Sequence, residues 1–224
     1  PNMKLLSFIL DGRETWGVAV GDEVVDLGKA KTQYPTLADY IAAGGYLHAA
    51  EDIKGRVSDA KLSDITYLPV IPRPEKIICA LRNYMDQEQY ALGRPCDVAE
   101  QPPIFLRVWR SQSAHEQPIV RPRVSDSLDW EGELAVIVGK GGRDIPEGLA
   151  FEHIAGYACY NDASVREWQT HAKQIASGKN FECTGGFGPW MVTSDEIAPN
   201  RQLNIEVRIN GEVVQSSHTG YMNF

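Results

Sequence analysis

From Met3 to Leu27 short apolar runs alternate with turn residues, "MKLLSFIL", "DGRE", "TWGVAV", "GDE" and "VVDL", a pattern that predicts a small antiparallel β meander. The next periodic stretch, "PTLADYIAAGG", places Leu37, Tyr40 and Ile41 on one helical face. Thr36 and Asp39 have the spacing of a capping box, and Gly44 supplies the stop. Prolines 69, 72 and 74 in "YLPVIPRPEK" exclude the centre of a sheet and place a boundary between residues 1–72, a small β-rich domain with one helix, and residues 73–224. In the second part "KIICAL" reads as a buried strand and "NYMDQEQYALG" as a short helix or helical turn. Further strands are predicted in "EQPPIFLRVW", "SLDWEGELAVIVGK" and "HIAGYACY". Val165, Trp168, Ala172, Ile175 and Ala176 then recur at helical spacing, with Ser164 and Glu167 as a capping box and Gly178 as the end. Asn210 and Gly211 turn a last hairpin, "LNIEVRINGEVVQSS". The sum is an α+β chain, mostly β.

With 224 residues, 43% of them hydrophobic and 23% charged, the chain can bury a core without staples. It has no run of 18 apolar residues, and its N-terminal apolar stretch meets Asp11 without a signal-type cleavage site. A cytoplasmic protein without a membrane span is expected. The four cysteines, at 79, 96, 159 and 183, lack zinc-site spacing and read as reduced, buried thiols. A formal net charge of −8 argues against a nucleic-acid partner. The densest basic stretch, Arg107 to Arg123, reads as mixed surface.

Candidate chemistry lies in "SLDWEGELAVIVGK". On a strand Glu131 and Glu133 project to one side, with Cα atoms about 6–7 Å apart, while Leu134, Val136 and Val138 face the other. Two such acids are either a solvated strand face or part of a cation site. Asp162, where a strand gives way to a helix, would make a third carboxylate, and an all-oxygen set suits Mg²⁺ or Mn²⁺ rather than zinc or copper. Lys179 lies in a loop rich in glycine and aromatic residues, "SGKNFECTGGFGPW", where a lone lysine is more often solvated than functional. No nucleophile elbow, zinc-protease motif or phosphate loop is present, and the five histidines have no ligand spacing.

Taken in order, "DWEGELAVIVGK", "GYACYNDASVREWQ", "ASGKNF", "GFGPWMVTSDEI" and "INGEVVQSSHTGYMNF" resemble the fumarylacetoacetate hydrolase family from about Lys76 onward. The small N-terminal β domain is similar to that of the bacterial branch, with its acylpyruvase and hydroxymuconate isomerase-decarboxylase relatives. The resemblance implies a mixed β-roll catalytic domain acting as a homodimer on small 2-oxo acids. It implies Glu131, Glu133 and Asp162 as ligands of Mg²⁺ or Mn²⁺, Lys179 as a charge stabiliser beside the metal, and Arg82 and Gln169 as binders of substrate oxygens. Three carboxylates with the metal sum to −1, Lys179 restores neutrality, and Arg82 then supplies the positive charge that an anionic substrate needs.

Two departures bear on the reaction. Family hydrolases and decarboxylases carry a histidine and then a glutamate after the "NY" motif, where this chain has Gln87 and Tyr90 in "NYMDQEQY". Glutamine is no general base, so water activation falls to the metal or to Glu88. The chain also stops at Phe224, where the family continues into a helix, a Gly-Thr-Pro loop and closing strands, which reads as a chain cut short. The expected activity is C–C bond hydrolysis of a 2,4-dioxo acid of the acylpyruvate or fumarylacetoacetate type in aromatic-compound breakdown. The alternatives are decarboxylation or isomerisation of oxaloacetate or a hydroxymuconate-type diacid, and a silent homologue that binds metal or 2-oxo acid without turnover.

Overall fold

The computed structural model describes residues 3–86, 91, 99–199 and 201–224. The predicted meander forms as β1 (Lys4–Leu10), β2 (Arg13–Val20) and β3 (Glu23–Asp26), paired antiparallel in sequence order. Three short helices follow, α1 (Leu27–Ala30), α2 (Leu37–Ala42) and α3 (Ala49–Ile53), where the pattern predicted one. In α2 the capping box is complete: Thr36 Oγ1 accepts from the Asp39 N–H and Asp39 accepts from the Thr36 N–H. The small strands β4 (Ala60–Lys61) and β5 (Thr66–Tyr67) flank the meander.

Beyond the prolines, β6 (Ile77–Ala80) and β7 (Ile104–Arg107) form a separate two-stranded ribbon. Next come β8 (Gln112–Ala114), β9 (Leu128–Asp129), β10 (Gly132–Val138), β11 (Ile154–Asp162) and β12 (Ser164–Val165). Helix α4 (Arg166–Thr170) leads to β13 (Gly185–Phe187), β14 (Met191–Thr193), β15 (Asn204–Ile209) and β16 (Glu212–His218). The last two make the predicted hairpin, and its turn needs left-handed backbone at Asn210 (φ 51°) and Gly211 (φ 85°).

The main sheet is continuous across the boundary expected at residues 72 and 73. It runs β4-β3-β2-β1-β14-β11-β13-β8, with Lys4 opposite Val192 and Tyr157 opposite the same Val192 on the other side. One buried cluster accordingly joins Leu5, Trp16, Val18 and Tyr40 to Ile137, Ala155, Ala158, Phe187 and Met191. Each such large side chain contributes roughly 1.5–3 kcal/mol when fully buried. Among the described residues no helix is long and apolar enough to cross a membrane.

Several expectations are corrected. The helix predicted to run on from Val165 is only five residues long, and Ser164 is no cap. Ser164 and Val165 are buried in β12 opposite Asp129 and Leu128, and Ser164 Oγ donates to the Asp162 carbonyl (2.9 Å). The chain then doubles back so that Gly178 lies against the backbone of Gln169, where an added Cβ would be 2.5 Å from its nitrogen. "KIICAL" is not wholly buried, because a two-stranded ribbon covers one face only: Ile78 is 58% exposed. The face of β10 carrying Leu134, Val136 and Val138 is likewise outward, with Val138 65% exposed, while Ala135 and Ile137 continue inward from Glu133. Cys159 is exposed rather than buried; Cys96 and most of the helix predicted in "NYMDQEQYALG" lie outside the described residues.

Candidate active site

Glu131 occupies the gap between β9 and β10. Its N–H donates to Asn161 Oδ1 (3.0 Å) and its carbonyl accepts from the Asp162 N–H (2.8 Å). Sheet register, with Gly132 opposite Asn161 and Glu133 opposite Tyr160, therefore brings the two glutamates to the end of β11 where Asp162 stands. Lys179 arrives from the loop after a 3₁₀ turn (Ile175–Gly178) and is 1% exposed. Its Nζ donates to Glu131 Oε2 (2.6 Å) and Asp162 Oδ2 (2.7 Å), and lies 5.1 Å from the centre of the Phe105 ring. A lysine that the composition of its loop made solvated is in fact the cation on which two carboxylates converge.

Two arginines complete the cluster. Arg166, at the start of α4, donates through Nη2 to Asp129 Oδ2 (2.8 Å), through Nη1 to Glu131 Oε1, and through Nη1 to Gln169 Oε1 (3.1 Å). Arg107, placed by its basic neighbourhood on a mixed surface, is 3% exposed and donates to Asp162 Oδ1 (2.6 Å). The signal for it was strand parity: in "IFLR" Phe105 and Arg107 share the buried face of β7. The cluster thus contains four carboxylates, Asp129, Glu131, Glu133 and Asp162, against three cations, Arg107, Arg166 and Lys179. With every acid ionised these side chains sum to −1 without a metal and to +1 with a divalent cation, where three acids, the metal and one lysine were expected to sum to zero.

Burial works against ionisation of Glu131, and hydrogen bonds from Lys179 and Arg166 more than reverse it, holding that carboxyl below its ordinary range. Burial raises Asp162, opposed by Lys179 and Arg107. Glu133 has no hydrogen-bond or ion-pair partner among the described residues; burial, then the charges of Asp162 and Glu131, push it up to about 7. Tyr84, which the sequence reading passed over, has a buried hydroxyl without a partner among the described residues. Burial and the nearby Glu133 push it up to about 12.

The structure therefore brings Glu131, Glu133, Asp162 and Lys179 together, with Gln169 joined through Arg166. Arg82 stands apart: it is exposed, in left-handed backbone (φ 53°), and its carbonyl accepts from Asn223 Nδ2 (3.3 Å). Glu88, Gln87 and Tyr90 lie outside the described residues. Among the described residues no three acidic, histidine or cysteine side chains stand ready-made around one ion, because the Lys179 ammonium lies between Glu131 and Asp162. The donor chemistry nevertheless fits a hard divalent cation: the carboxylates offer only oxygen, and Glu133, disfavoured as an anion by burial and by Asp162 and Glu131, is a carboxyl whose ionisation a cation would favour.

The family model described as fumarylacetoacetate (FAA) hydrolase C-terminal matches residues 76–224. The mitochondrial oxaloacetate tautomerase fahd2 of Xenopus laevis is 40% identical over 164 residues, 72% of this chain and 50% of that protein. The chain thus spans about half the length of that relative. The mitochondrial oxaloacetate tautomerase Fahd2a of Rattus norvegicus is 35% identical over 234 residues, covering 100% of this chain and 73% of its own length. Of solved structures, a fumarylacetoacetate hydrolase from Exiguobacterium antarcticum superposes with a TM-score of 0.83 at 30% identity, over 98% of this chain and 76% of that one. Maleylpyruvate hydrolase of a Sphingobium species, in complex with manganese(II) and pyruvate, gives 0.78 at 26% identity, over 98% and 78%.

Proposed function

Because the chain belongs to the fumarylacetoacetate hydrolase family, an enzymatic family, we propose that it acts on 2-oxo acids through an enolate, and that its reaction is the keto–enol tautomerisation of an oxaloacetate-type diacid. The observation that carries this reading is Lys179: a buried ammonium held at 2.6 and 2.7 Å by two carboxylates is a fixed positive charge of the kind that an enolate oxygen requires. The identity to two oxaloacetate tautomerases favours proton transfer over bond cleavage. In tautomerisation the enol O–H proton leaves, a proton is added at C3, and no water enters the product. A water-activating histidine at position 87 is then unnecessary.

Glu131, Glu133 and Asp162 would hold the divalent cation, which when bound supplies chelation and polarisation of the carboxylate and 2-oxo oxygens. Lys179 donates to the developing oxyanion, and Arg166 holds Gln169 and Glu131 in one frame so that the amide of Gln169 is presented to substrate oxygens. Exposed Ile78, Ile104 and Leu106 on the outer face of the ribbon support the expected homodimer. C–C hydrolysis of an acylpyruvate is the second reading, favoured by the likeness to two hydrolase structures.

The test incubates the protein and Mg²⁺ with oxaloacetate, an acylpyruvate and a hydroxymuconate, following enol absorbance and separating products. Accelerated loss of the oxaloacetate enol without carbon dioxide supports tautomerisation. Pyruvate from the acylpyruvate would replace it with hydrolysis, carbon dioxide with decarboxylation, and oxalate binding without turnover with a silent homologue.

A further inference from the structure

We propose that Arg107 is a positioning residue: it locks the Asp162 carboxylate so that Oδ2 alone faces the cation position, an inference that rests on the metal reading above. The two oxygens of Asp162 are divided between two bases, Oδ1 accepting from Arg107 Nη1 at 2.6 Å and Oδ2 from Lys179 Nζ at 2.7 Å. The two bases differ in freedom. Lys179 is a single ammonium on a four-carbon stem, whereas Arg107 is a planar fork, and every branch of that fork is tied down.

Arg107 Nη2 donates to Thr184 Oγ1 (2.8 Å), Nε to Ser111 Oγ (3.3 Å) and Nη1 also to the Ala163 carbonyl (3.4 Å). The two hydroxyls accept because their own protons are committed elsewhere. Thr184 Oγ1 donates to the Phe181 carbonyl (2.7 Å), and Ser111 Oγ donates to the Val108 carbonyl (2.8 Å). The anchors are joined by a backbone hydrogen bond from the Thr184 N–H to the Ser111 carbonyl (2.9 Å). The Arg107 side chain is 0% exposed and Gly185 leaves it room, since an added Cβ there would lie 2.8 Å from Nη2.

Stability does not account for this arrangement, because a buried ion pair is seldom better than apolar packing of the same volume. Orientation does. Rotation of the Asp162 carboxylate would exchange its oxygens; with Oδ1 held by the fork, Oδ2 keeps its direction. The ribbon carrying Arg107 is itself fastened to the loop of Lys179, since Asn180 accepts from the Val108 N–H (2.8 Å) and donates to the Leu106 carbonyl (3.1 Å).

Mn²⁺ binding read by electron paramagnetic resonance, beside thermal unfolding, tests the proposal. R107M should weaken Mn²⁺ binding about tenfold or more, as loss of a partner that orients a ligand does, and R107K, which keeps the charge but not the fork, should also weaken it severalfold. Folded R107M or R107K with wild-type affinity overturns the proposal. If R107M does not fold, T184V, which keeps every charge but frees one arm of the fork, should still fold, at a somewhat lower unfolding temperature, and weaken binding severalfold. Wild-type affinity in T184V would then overturn it. Wild-type protein that takes up no Mn²⁺ overturns the metal reading, and this inference with it.

Discussion

Glu133 carries the sharpest quantitative expectation. A carboxyl raised from 4.5 to about 7 binds its proton more tightly folded than unfolded, so its ionisation disfavours the fold. The penalty is absent below about pH 4.5, grows between there and pH 7, and is complete above, where it amounts to about 3 kcal/mol. Glu133→Gln keeps the shape and removes the charge. In EDTA at pH 8 the variant should be more stable than wild type by about 2–3 kcal/mol in urea unfolding, and the gap should shrink toward zero near pH 4.5. Excess Mg²⁺ should close most of the gap, since saturation at a hundred times Kd stabilises wild type by about 2.7 kcal/mol and should do little for a variant that lacks the proposed ligand. A gap independent of pH, or a variant less stable in EDTA at pH 8, would refute the view that Glu133 is a buried charge repelled by Asp162 and Glu131.

Three further perturbations follow from the same geometry. Lys179→Met leaves two buried oxygens without their donor and should lower stability in EDTA by about 3–5 kcal/mol, measured by unfolding. Its turnover should fall by about a hundredfold or more, a larger loss than that of Mg²⁺ affinity, as calorimetry would record. Gly178→Ala puts a Cβ 2.5 Å from the Gln169 nitrogen, so α4 must shift; KM for the 2-oxo acid should rise while the fold survives by circular dichroism. Thr36→Ala removes the α2 cap and should cost about 1 kcal/mol in unfolding without altering turnover.

What the sequence told well was local. The meander, the α2 capping box and the Asn210–Gly211 turn each depend on a few adjacent residues, and all three formed as read. Glu131, Glu133 and Asp162 were found by motif, and the register of β10 on β11 brings them to one place. The errors concern partners distant in the chain. Ser164 has the spacing of a cap, but Asp129 and Leu128, over thirty residues earlier, recruit it and Val165 into a strand pair. Arg107 looked like surface because its charge was weighed with its neighbours, whereas Asp162 and Thr184 decide its burial. The exposure of the β10 valines was not legible either, because a run of apolar residues does not say which face of a strand is covered.

The place of β14 in the main sheet has a consequence for how the molecule is made. It lies between β1 and β11, so β1 waits for a strand almost 190 residues later in the chain, and the strand that ends in Asp162 waits for the same partner. Such long-range pairing is slow to form, and until residue 193 has emerged the apolar faces of β1 and β11 remain uncovered along that border. Assembly of the acidic cluster is therefore a late event in folding, and a lesion in the three residues of β14, none of them part of that cluster, would be felt as a loss of soluble yield before it was felt as a loss of chemistry.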